Sequence, residues 1–119
     1  MTKRQQEAKK YLRGIRINEC EIEGKKRQIQ KMQEWPETEM ISVYIAEMEK
    51  DINNYVSERR EADKLLDTLE REEKVVIERM CLEKADKWKV ARELHISEST
   101  VRRRYESALE KIGEKVEHK

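Results

Sequence analysis

Within seven residues the chain places Ser97, Ser99, Thr100, Arg102 and Arg103, hydroxyls and guanidinium groups that can hydrogen-bond a nucleic acid. A guanidinium can donate two parallel bonds to O6 and N7 of a guanine, and a hydroxyl can bond a base edge or a phosphate. At 100° per helical residue, with Val101 and Tyr105 turned inward, Ser99, Arg103 and Glu106 point outward and Arg102 lies beside them. Arg103, Ser99 and Thr100 are therefore the expected base-reading group. Arg102, Lys87, Lys89 and Arg92 are expected on phosphates, which set register without reading sequence. From Lys84 to Arg104 there are seven basic and three acidic residues, a local +4 in a chain whose formal net charge is only +1. Arg104 falls about 60° from the buried direction, so it is expected to pair within the protein or to lie along the core.

These groups need a capped helix to carry them. Val90, Ala91 and Leu94 form an apolar face on one short helix, with the small Ala91 where a second helix must come close and Ile96 filling the angle between them. Ser97 offers an N-cap oxygen to the next helix, whose buried stripe is Val101, Tyr105, Ala108, Leu109 and Ile112 over about residues 98 to 112. A short helix, a tight turn and a capped helix are the arrangement of a DNA-reading helix-turn-helix. Ahead of it, Leu69, Val76, Ile77, Met80, Cys81, Leu82 and Ala85 predict one helix ending near Lys84, with Asp86 as cap for the next.

Upstream, the signs of charge are segregated: residues 1 to 31 carry net +6, residues 32 to 78 net −8, and the rest net +3. In the basic segment Ala8, Ile15, Ile22 and Ile29 recur every seven residues, with Tyr11, Asn18, Lys25 and Met32 three places after each. This is a heptad stripe with polar interruptions. Gly14 and Gly24 each cost that helix about 1 kcal/mol relative to Ala, so contacts with a neighbour must hold it. Trp35-Pro36-Glu37-Thr38 ends the pattern, because the residue before a proline avoids helical geometry and Thr38 can cap a new helix. After it, Ile41, Ile45, Met48, Ile52, Tyr55, Arg59, Ala62, Leu66 and Leu69 alternate at spacings of four and three. Two helices of about 28 residues, each roughly 40 Å long, are expected to pack antiparallel as a coiled-coil-like hairpin with its turn near 34 to 38. The basic surface of the first helix either meets nucleic acid or complements the acidic second helix, and complementation is the commoner use of such charge. A two-helix hairpin buries little by itself, so a homodimer or higher oligomer is expected.

The fold class predicted is thus all-α: a hairpin over residues 1 to 68, a helix-turn-helix domain over 69 to 115 and a tail over 116 to 119. With 45% charged residues and a mean hydropathy of −1.08 the chain cannot build a large globular core, yet its balanced charge and helical periodicity argue against disorder. No run approaches the roughly 20 apolar residues of a membrane span, and MTKRQQEAKK lacks the apolar centre of a signal peptide. A cytoplasmic location and no membrane partner are expected. Cys20 and Cys81 stand in unrelated segments, and His95 has no ligand of suitable spacing, so free thiols, no metal and no cofactor are expected. No nucleophile with its base and no glycine-rich phosphate loop is present, which predicts a protein that is not an enzyme.

Residues 69 to 112 resemble region four of bacterial sigma factors through Val90, Ala91, Leu94, Ile96, Ser97, Thr100, Val101, Arg102, Arg104, Ala108, Leu109 and Ile112. With Ala8-Lys9-Lys10-Tyr11-Leu12 and the long hairpin added, nearly the whole chain resembles the ArpU/RinA-type regulators of phages and prophages, although only its last third is motif-grade. The resemblance implies binding to double-stranded DNA, contact with host RNA polymerase and activation of phage late or packaging genes. Two positions depart from the pattern. His95 replaces the usual turn glycine, tolerable because His is enriched at positive φ, and Trp88 falls one place later than the common aromatic, where it is expected to pack on a neighbouring helix. The competing reading is a non-enzymatic adaptor that docks on RNA polymerase or a packaging protein.

Overall fold

A computed structural model describes residues 1–117. The chain is helical, and the described residues contain no strand. Its elements are α1 (Lys3–Met32), α2 (Glu39–Leu66), α3 (Arg71–Ile77) continued by a π-helical turn (Glu78–Leu82), α4 (Lys87–Leu94) and α5 (Glu98–Glu117). Among the described residues no helix is long and apolar enough to cross a membrane.

The ends of these helices are set by side chains close in sequence. Thr2 and Gln5 form a reciprocal capping box at α1, and Thr38 accepts the Ile41 amide at the start of α2. Glu70 and Glu73 make the equivalent box at α3. Each satisfies amides that the first helical turn leaves without partners. The single helix expected to run on to Lys84 instead widens after Ile77, where the Glu83 amide bonds the Glu78 carbonyl at 3.0 Å and Lys84 reverses the chain at φ 58°. A π turn inserts one extra residue per turn, a change that apolar periodicity does not register.

α1 and α2 run antiparallel, as the cross-links Lys25–Asp51 at 2.7 Å and Asn18–Glu58 at 3.2 Å require. The heptad positions Ala8, Ile15, Ile22 and Ile29 are buried, and the positions three places later are half-buried. Leu12 lies off the heptad and is also buried, because the first half of α1 meets α5 as well as α2. The resulting core joins Ala8 and Leu12 to Leu66, Leu69, Ile77 and Cys81, and to Ala108, Leu109 and Ile112 of α5. A second cluster of Val76, Val90, Ala91 and Val101 binds α3, α4 and the first turn of α5. Tyr105 packs against both clusters, so α5 joins them, as α3 does by giving Ile77 to the first and Val76 to the second.

Of the three glycines, Gly113 stands at a close helix approach, where a Cβ would lie 2.1 Å from the Arg4 carbonyl oxygen. Gly14 and Gly24 have nothing within 4 Å of that position. Gly113→Ala must therefore push α1 off α5, at a cost of about 1–3 kcal/mol or more. Gly14→Ala only removes backbone freedom and should stabilise by up to about 1 kcal/mol. Urea unfolding of the two variants checks this, and a neutral Gly113→Ala would contradict the close packing.

Candidate nucleic-acid interface

α4 ends because His95 adopts the left-handed conformation, φ 56° and ψ 42°. The Ile96 amide then reaches back to the Ala91 carbonyl at 3.1 Å, closing the helix end and turning the chain sharply. Ile96 and Leu94 lie half-buried against the second cluster, which fixes the angle between α4 and α5. Ser97 caps the new helix: its Oγ accepts the Thr100 amide at 3.1 Å and sits 2.9 Å from the Thr100 hydroxyl.

Thr100 Oγ1 in turn accepts from Arg103 Nη2 at 3.3 Å, so Ser97, Thr100 and Arg103 form one connected row on the outer side of α5. The capping bond commits the Ser97 hydroxyl to the backbone and makes it a positioning group. Ser99 and Arg103 are exposed and Thr100 is half-buried. The Arg102 side chain is 70% exposed and its Nε lies 3.1 Å from Glu106. Lys87 and Lys89 stand at the start of α4 and Arg92 farther along it, all exposed. Trp88, expected to pack, is 51% exposed with Lys89 Nζ 5.7 Å from its ring. The reason is angular: at 100° per residue it lies roughly 110° from the centre of the Val90–Ala91–Leu94 face.

Arg104 turns toward the first turn of α3, 3.9 Å from Glu70 and 3.7 Å from Glu72. Beside it sits Glu73, 1% exposed, accepting bonds from Ser107 Oγ and Lys111 Nζ at 2.7 Å each and from the Glu70 amide at 3.2 Å. Burial pushes the Glu73 carboxyl pKa up, but the bonds from Lys111, Ser107 and the Glu70 backbone outweigh it and hold the group below the usual carboxylate range. Cys81, the buried thiol, donates to Tyr105 Oη at 3.9 Å; burial raises its pKa and keeps it protonated, whereas Cys20 is exposed.

The start of α1 packs along one face of the second half of α5. Thr2 donates to Glu110, Arg4 pairs with Glu117 at 2.9 Å, and the Gln5 amide group donates to the Glu106 carbonyl at 3.0 Å. Glu106, expected to face outward freely, is half-buried for that reason. These contacts, like those of Gly113 and Glu73, join residues far apart in sequence. Their only local signals are the T-x-x-Q and E-x-x-E capping spacings and a glycine inside an otherwise periodic helix. α5 continues past Ile112 to Glu117, with Val116 packed on the first cluster, so residues 116 and 117 of the expected tail are helical. The rest of that tail, 118 and 119, lies outside the described residues.

Comparison of the chain with models of known families, with characterised proteins and with solved structures returns no match.

The lowered pKa of Glu73 fixes a pH dependence. Its bonds contribute fully above the unfolded carboxylate value and are lost as pH falls through the lower folded value. Glu73→Gln should therefore be less stable than wild type at about pH 7, with the gap closing toward about pH 3. Urea midpoints at both pH values measure this, and a gap that does not change with pH would contradict it.

Proposed function

We propose that this chain is a sequence-specific DNA-binding transcription regulator of the phage or prophage kind, in which α4 and α5 act as a helix-turn-helix similar to region four of sigma factors, carried by the α1–α2 hairpin. The observation that supports this reading is the exposure of Arg102 and Arg103 on the capped first two turns of α5, while α1 packs along one face of the second half of the same helix. A helix anchored by α1 along its carboxyl half, with cations on the outer face of its amino half, is suited to enter a major groove, amino end first.

In this mechanism Ser97 and His95 set the helix direction and Thr100 holds the Arg103 guanidinium in place. Arg103 reads a guanine edge and Ser99 a neighbouring base or phosphate. Arg102 exchanges its bond to Glu106 for a phosphate, and Lys87, Lys89 and Arg92 bring the amino end and outer side of α4 onto the backbone. The site works without a metal or cofactor and has no catalytic step. Activation of late or packaging genes in the host cytoplasm, through contact with RNA polymerase, is the setting that the sequence resemblance implies.

Selection of duplexes from a random pool, followed by gel shifts, tests the reading. Arg103→Ala should lose about 1–3 kcal/mol on the selected duplex and relax the preference at one base pair. Arg102→Ala should weaken all duplexes alike and lower the salt slope by about one. Absence of any salt-sensitive binding to duplex DNA would overturn the proposal in favour of a protein-docking adaptor.

A further inference from the structure

Burial along α2 is uneven. Its buried residues are Ala62 and Leu66, at the end that joins the first core cluster. From Glu39 to Glu61 no residue is buried, although this stretch carries the stripe Ile41, Ile45, Met48, Ile52 and Tyr55, which is only half-buried against α1. Ile15, Ile22 and Ile29 of α1 are buried there but belong to neither core cluster. Two helices side by side share a single seam, whereas a stable bundle encloses its stripes from more directions.

The far end of the pair is also apolar outside. Trp35, Met40, Val43 and Tyr44 are 54%, 69%, 52% and 52% exposed, four of the eight large exposed hydrophobics among the described residues, gathered within ten residues. Single exposed apolar residues are ordinary, but a contiguous group marks an interaction surface. The charge around it narrows the occupant. At this end, residues 24–32 of α1 carry four basic and no acidic residues, and residues 39–52 of α2 four acidic and one basic. Nucleic acid or an acidic peptide is repelled by α2, and a basic peptide by α1. A surface that offers both signs side by side, in matching order, is this same pair of helices turned about a two-fold axis, which sets α1 against α2 twice.

We infer that the distal half of the α1–α2 pair, centred on Trp35 to Tyr44, is the docking surface for a second copy of this chain. The product is a four-helix arrangement with its stripes enclosed. This does not rest on DNA binding, since a monomer that binds DNA and a dimer that does not are both readable results. If both hold, the dimer presents two copies of α5 and calls for a two-fold repeated site.

Light-scattering mass and sedimentation of the full chain test the inference, with the variant V43E/Y44E, whose two positions are exposed in the single chain. Wild type should have the mass of two copies at about 100 μM, dissociating more readily as salt rises. The variant should have the mass of one, with an unchanged helical spectrum. Where the double charge alters helicity, M40S/Y44S carries the same test. A wild type that stays monomeric at that concentration, a dimer indifferent to both variants, or an assembly larger than two would overturn it.

Discussion

The seating of α1 on the second half of α5 is the constraint on which the rest of the molecule depends. Ala8 and Leu12 reach Ala108, Leu109 and Ile112, and the approach closes at Gly113, where the Arg4 backbone leaves no room for a side chain. With one half of α5 held this way, the other half extends beyond α1, supported from beneath by Val101 and the small α3–α4 cluster. The face on which Arg102 and Arg103 lie is a consequence of this packing, and Glu106 and Thr100 then hold the two guanidinium groups locally. The long first helix thus contributes to the candidate interface without supplying a residue to it.

In so charged a chain, the protein spends little on buried charge. Among the described residues Glu73 is the one buried charged residue, and every bond around it comes from a donor: the Lys111 ammonium, the Ser107 hydroxyl and a backbone amide. A carboxylate so surrounded costs less to bury than an unpaired one, and it locks α3 to α5 from the side opposite α1. On the surface most ion pairs are exposed and contribute little to stability. The Arg102–Glu106 pair is of this kind, so exchanging it for a phosphate is energetically accessible.

Much of the helical content was legible because apolar spacing reports helices directly: the heptad of α1, the stripe of α2 and the faces of α4 and α5 all coincide with buried or half-buried residues. Local capping chemistry was equally readable at Thr38, Ser97 and His95, whose geometry depends on neighbours within five residues. What periodicity left out was the partner of each face. Leu12 is buried off the heptad because α1 has two neighbours, Trp88 is exposed because it falls outside the α4 face, and Glu73 is buried because residues 34 and 38 positions later supply its donors. The π turn and the left-handed Lys84 escaped for a related reason, since both change the path of the chain without changing its apolar residue types.

Amide hydrogen exchange of the full chain with and without a selected duplex tests most directly the claim that the open half of α5 is the working surface. The account predicts added protection concentrated in residues 97–103 and at the start of α4, with the Trp35–Tyr44 end unchanged by DNA. Protection confined to α1 and α2, leaving residues 97–103 unaffected, would contradict it.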